Sequence, residues 1–133
     1  MKDTIVGQCH CGAIRWSADL PHKIVLNCHC KLCRSLSGAD YSSWVVIPTS
    51  QFKILSGEEE LATYQASEKY SKSFCSKCAS TIFCVNDDKF PDHSYLARGN
   101  ITSEFSLAPE IQVYTDDKAE WVSIDETLPI FNP

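Results

Sequence analysis

Short alternating runs dominate the chain. Ile14, Trp16 and Ala18 alternate with Ala13, Arg15 and Ser17, the pattern of a half-buried strand. Lys23–Asn27 carries the β-favouring run Ile24, Val25, Leu26, and Tyr41–Ile47 and Phe52–Leu55 follow, with Pro48 between them as a breaker. Leu61–Ala66, Tyr70–Phe74 and Thr81–Val85 continue the pattern, and Tyr95–Arg98, Ile111–Thr115 and Trp121–Ile124 complete it. Strands recurring about every 8–12 residues, with turn signals between them, predict an all-β sandwich or open barrel. Helical periodicity is confined to a turn or two after Cys33, through Arg34, Ser35 and Leu36, and Gly38 stops it. Pro129 and Pro133 bracket a tail expected to lie across the surface. No linker or repeat divides the chain, so residues 1–133 read as one domain.

Composition narrows the function classes. A chain of 133 residues, 44% hydrophobic and 22% charged, can bury a core without staples. Twelve basic against seventeen acidic residues give a net charge of −5, which argues against nucleic acid or an anionic membrane as partner. Met1–Gln8 has no apolar stretch of signal-peptide length and no segment is long enough to span a bilayer, so a reducing cytoplasm is expected. Eight cysteines in that compartment read as metal ligands or nucleophiles rather than disulfides.

Seven of those cysteines are clustered: Cys9 and Cys11 as C-x-C, Cys28, Cys30 and Cys33 as C-x-C-x-x-C, and Cys75 and Cys78 as C-x-x-C, with Cys84 alone. Residues i and i+2 of an extended segment point to one side, and a C-x-x-C turn brings two sulfurs together, so two such pairs can complete a tetrahedral zinc shell. The economical partition joins Cys9 and Cys11 to Cys75 and Cys78, a closed structural site locking the first and fourth strand regions. Cys28, Cys30 and Cys33 remain, and three protein ligands with an exchangeable fourth position characterise a catalytic zinc. Alternatively Cys84, His10, His29 or His93 closes that site. The C-x-C alternation points His10 and His29 away from the sulfurs, which leaves Cys84 as the main competitor. If not a ligand, Cys84 reads as a buried small apolar side chain.

G-Q-C-H-C-G-A-I-R-W at Gly7–Trp16, N-C-H-C-K-L-C-R-S-L-S-G at Asn27–Gly38 and F-C-S-K-C-A-S-T-I-F at Phe74–Phe83 together resemble the glutathione-dependent formaldehyde-activating enzyme family, which includes the domain of centromere protein V. The resemblance continues through Arg98-Gly99, Pro109, the Asp117–Trp121 segment and Leu128-Pro129. It implies a β-tent of antiparallel sheets stapled by zinc knuckles, with one structural zinc on Cys9, Cys11, Cys75 and Cys78 and one catalytic zinc on Cys28, Cys30 and Cys33. It also implies a carbon–sulfur lyase reaction in detoxification, forming or cleaving the adduct of glutathione and formaldehyde. The chain departs from the family where a His-Ile pair often precedes an aromatic: here Gln112-Val113-Tyr114 stand.

Three thiolates on a zinc ion leave a formal charge of −1, a poor Lewis acid but a suitable holder for a substrate thiol as thiolate. The expectation is that a bound thiolate meets a small aldehyde, with proximity supplying most of the catalysis. A tripeptide thiol carries carboxylates, so cations are expected nearby: Arg34 beside the cluster, with Lys31 read as surface charge and Arg98 unplaced. Trp44 and Tyr41 read as core or pocket wall. His29 reads as an exposed residue of the knuckle or a proton carrier. A non-enzymatic zinc-stabilised binding module, or an enzyme of the same fold acting on another thiol or electrophile, stands as the alternative. Monomer and homodimer are equally compatible with the sequence.

Overall fold

In a computed structural model, the structure describes residues 3–106 and 108–133. Among the described residues, eleven strands form two sheets, and one short α-helix accompanies them. The smaller sheet contains β1 (Thr4–Gln8), β2 (Arg15–Asp19) and β5 (Phe52–Ser56), ordered β1-β2-β5 and antiparallel throughout. The larger contains β3 (Ile24–Cys28), β4 (Ser42–Pro48), β6 (Leu61–Gln65), β7 (Tyr70–Cys75), β8 (Thr81–Asn86), β9 (His93–Ala97), β10 (Ile111–Val113) and β11 (Ile130–Phe131). Its order is β11-β10-β3-β4-β9-β8-β7-β6. Helix α1 (Lys31–Ser37) follows β3. Among the described residues, no helix is long and apolar enough to cross a membrane.

The predicted alternation places nine strands within a residue or two of their observed bounds, and three regions differ. Thr4–Gln8, not predicted, pairs as β1 with β2 in a hairpin, Ile5 against Ala18 and Gly7 against Trp16. Trp121–Ile124 forms a turn and irregular chain instead of a strand, and Trp121 is 71% exposed, so it has no layer to pack against. The predicted surface tail instead supplies β11. The sheets are antiparallel as expected except at one edge of the larger one, where β10 runs parallel to both β3 and β11. This register lets the chain after Pro109 return across the sheet edge beside the three-cysteine cluster, with Val113 opposite Cys28.

Strands β3 and β4 are apolar on both faces, the signature of strands covered twice. Val25, Val45 and Ile47, with Ile82 and Leu96 of neighbouring strands, face the small sheet and pack on Ile5, Ile14, Trp16 and Ala18. The alternate residues Leu26, Cys28, Trp44 and Val46 face the other way and form a second cluster with Tyr70, Cys84 and Tyr95. The helix ends on Gly38, whose left-handed backbone (φ 71°) directs its N–H to the Arg34 carbonyl at 2.8 Å.

Gly7 of β1 is tightly enclosed, by Trp16 opposite it on β2 and by the turn at Arg98–Asn100. A Cβ there would overlap the Trp16 ring and the carbonyl oxygen of Asn100. Gly7→Ala is therefore expected to cost about 3 kcal/mol of stability, read as a lowered midpoint in urea unfolding. An unchanged midpoint would show that the packing at Gly7 relaxes without cost.

Candidate metal centres and the cavity beside them

The first cysteine cluster joins the two sheets. Cys9 and Cys11 lie in the turn between β1 and β2, while Cys75 ends β7 and Cys78 lies in the turn to β8. The expected lock between first and fourth strand regions is thus a lock between the first and seventh strands, which belong to different sheets. The turn geometry gathers the sulfurs: Cys9 N–H donates to the Ile14 carbonyl at 3.1 Å, Gly12 N–H to the Cys9 carbonyl at 3.0 Å, and Ala79 N–H to the Cys75 carbonyl at 2.7 Å. Cys9 Sγ lies 3.6 Å from Cys11 Sγ, and Cys11 Sγ 3.8 Å from Cys75 Sγ. All four sulfurs fall within 4.8 Å of one another. Cys9 and Cys75 are buried, Cys11 is exposed and Cys78 is half-buried.

The second cluster lies on the opposite face of the large sheet. Cys28 ends β3, Cys30 caps the helix and Cys33 sits in its first turn, with Cys33 N–H donating to Cys30 Sγ at 3.2 Å. These three sulfurs also lie within 4.8 Å of one another, and among the described residues Cys84 and the histidines are not part of the group. Cys84 is buried among apolar neighbours, and burial pushes its thiol up to about 12. His10 is exposed, and His93 Nδ1 is engaged with the Pro91 carbonyl at 2.9 Å.

Both clusters are electrostatically suited to a cation. Without one, the sulfurs share protons. Hydrogen bonds from the Cys28 and Cys30 thiols hold Cys33 down to about 3, while the Cys30 and Cys33 sulfurs, with burial, push Cys28 well up. In the first cluster the Ser80 hydroxyl, 3.2 Å away, and backbone N–H groups hold Cys78 down to about 5. Cys11, in spite of a backbone hydrogen bond that lowers it, is raised to about 11 by desolvation and the other sulfurs. A metal ion would replace these shared protons, and soft thiolate donors in sets of four and three match zinc's preferences.

A cavity of about 600 Å³ opens on Cys28, Cys30 and Cys33. Its walls are largely apolar, with Leu26, Trp44, Tyr95, Ile111, Val113 and Tyr114 prominent. Tyr70 O–H lies 3.5 Å from Cys33 Sγ, and burial raises the Tyr70 pKa strongly, so the phenol keeps its proton at neutral pH. A smaller space of about 210 Å³ reaches Cys33 from the other side and is lined by Tyr41, Ser42, Cys84 and Arg98 among others. Trp44 thus lines the wall as expected, while sequence reasoning passed over Tyr70, Tyr95 and Tyr114. Their shared direction depends on strand register, which no local motif encodes.

Arg34 is not among the cavity residues. Its Nη1 donates to the Asp117 carbonyl at 2.7 Å, and its guanidinium stands 5.9 Å from the Trp121 ring, strapping the helix to the C-terminal segment. Lys31 lines the cavity, and Arg98 belongs to the smaller space. His29 is corrected from an exposed residue to a buried one, 1% accessible. Its Nε2–H donates to Gln112 Oε1 at 2.7 Å, and its ring lies 5.0 Å from that of Tyr41. Gln112 itself is buried, and Ile111 and Val113 face the cavity while Gln112 faces away. The departure at position 112 therefore alters the support of the cysteine knuckle and not the cavity wall.

Comparison with known proteins agrees with this arrangement. A Halomonas elongata protein named "Putative glutathione-dependent formaldehyde-activating enzyme" is 29% identical over 126 residues, covering 90% of this chain and 80% of its own length. The crystal structure of a Rhodobacter sphaeroides protein superposes with a TM-score of 0.64 at 20% identity, over 76% of this chain and 91% of that one, and shares the fold. The family model described as glutathione-dependent formaldehyde-activating enzyme matches residues 4–117, a span that holds both cysteine clusters and most of the cavity wall, and the chain belongs to that family.

Proposed function

We propose that this single domain of residues 1–133 is a cytoplasmic, zinc-dependent carbon–sulfur lyase of the S-hydroxymethylglutathione synthase type. In the forward direction a thiol and formaldehyde combine: the sulfur–carbon bond forms, the carbonyl π bond breaks, and the thiol proton ends on the new hydroxyl oxygen. The observation that carries this reading is the cluster of three sulfurs, Cys28, Cys30 and Cys33, on the wall of a cavity large enough for a small thiol.

Cys28, Cys30 and Cys33 would hold the catalytic zinc, and Cys9, Cys11, Cys75 and Cys78 the structural one. A zinc ion at the three-sulfur site would keep a fourth, exogenous sulfur in its thiolate form near neutral pH. The protein's own groups do the rest. Apolar walls exclude water and hold the reactants together, so the reaction proceeds at high effective concentration. Tyr70 keeps a proton on its phenol oxygen and can donate it toward Cys33 Sγ, lowering the electron density of that ligand. Arg34 acts through position, by fixing the helix that carries Cys33 against Asp117. The cavity beside the cluster favours an enzyme over a binding module, because a scaffold needs no space next to its sulfurs.

Elemental analysis of protein purified under reducing conditions is expected to show two zinc ions per chain, falling to one on mild chelation and recovering when zinc is returned. Cys30→Ser is expected to lose the labile ion and keep the fold, whereas Cys75→Ser loses the tie between the sheets and unfolds. Two ions that both resist chelation would overturn the open-site reading. In the cobalt-substituted protein, adding a thiol is expected to change the visible absorption, and an unmoved spectrum would rule out an exchangeable sulfur position.

A further inference from the structure

The cavity carries more information than its opening on the cysteines. Its walls are aromatic and branched aliphatic, and several of its polar groups are already engaged. Trp44 Nε1 donates to Ser42 Oγ at 2.7 Å, and the Tyr70 hydroxyl is directed to Cys33. A γ-glutamyl tripeptide would bring amides and several charged groups into a wall that offers few partners, and burying an amide without a hydrogen bond is unfavourable. An aromatic or branched body would instead exchange water for matching apolar surface.

Among the described residues the lining carries two cations, Lys31 and Lys89, and two acids, Asp88 and Asp117, and Lys31 is exposed at the start of the helix. Asp88 is paired with Lys69 at 3.3 Å. The Lys89 ammonium instead stands 5.4 Å from the rings of both Tyr114 and Phe131, and all three residues line the cavity. Two aromatic faces hold this cation in place through their negative π surfaces, without neutralising it. It is positioned to meet one anionic group of a ligand.

Resting on the reading of the cluster as an open thiol site, we infer that the thiol selected here has an aromatic or branched apolar body bearing a single acidic group, rather than the polar tripeptide glutathione. The sulfur reaches the three-cysteine cluster, the body fills the space between Leu26, Trp44, Val113 and Tyr114, and the acid pairs with Lys89. The aldehyde reaction is unchanged; only the thiol differs.

Isothermal titration of the zinc-loaded protein with 4-(mercaptomethyl)benzoate, benzyl mercaptan, glutathione and 2-mercaptoethanol tests this. Both aryl thiols are expected to bind at least about tenfold more tightly than glutathione and 2-mercaptoethanol. Phe131→Ala, at an exposed wall position, should weaken both aryl thiols about fivefold and leave 2-mercaptoethanol unaffected. Lys89→Met should weaken the benzoate and spare benzyl mercaptan. Glutathione binding as tightly as the aryl thiols would overturn this inference and leave the proposed reaction standing. If none of the thiols binds and none moves the cobalt spectrum, the open-site reading falls, and this inference with it.

Discussion

The rest of the structure depends on a large sheet whose central strands are apolar on both faces while only one face has a sheet to cover it. Val25, Val45, Ile47 and Leu96 meet the small sheet across a filled interface. Leu26, Trp44, Val46 and Tyr95 on the opposite face meet a seven-residue helix, Ala66 and Phe90 from two loops, and the returning C-terminal segment. That cover is too thin to fill the space above the sheet, and the remainder is the cavity. An apolar cavity, a cysteine cluster at its wall and a helix over its edge are thus consequences of one imbalance between the faces.

The two cysteine clusters divide their tasks by position. Cys9, Cys11, Cys75 and Cys78 sit where the covered face ends, between turns of different sheets, so gathering those sulfurs requires the sheets to be docked. Any ion they bind therefore adds its binding energy to folding. Cys28, Cys30 and Cys33 are contained within one strand–helix junction on the thinly covered face, and no distant element must be recruited to assemble them. The depressed Cys33 and raised Cys28 express the same physics on a smaller scale: in a confined group of sulfurs one negative charge is tolerated, held by protons on the others, until a cation takes their place.

The junction is held from several directions. Lys72 of β7 donates to the Leu36 carbonyl at 2.7 Å near the helix end, and Arg34 reaches the Asp117 carbonyl. His29, anchored by Gln112, fixes the backbone between Cys28 and Cys30, and its N–H donates to the Val113 carbonyl at 3.0 Å. Residues that looked chemically active beside the cysteines thus orient the chain that presents them.

By itself the sequence determined the local elements, the grouping of the cysteines and the family. Alternation at Ile14–Ala18, apolar runs at Ile24–Leu26 and Trp44–Ile47, and Gly38 after a short helix are each encoded within a few residues, because backbone geometry and side-chain period act locally. The close spacing within each cysteine group likewise limits where its sulfurs can go. Tertiary structure alone decided that β10 runs parallel beside β3, that Trp121 faces outward while His29 is buried, and that Arg34 turns from the cavity while Tyr70 and Lys89 border it. Each of these depends on register and on which layers meet, and those are set by contacts between residues far apart in the chain.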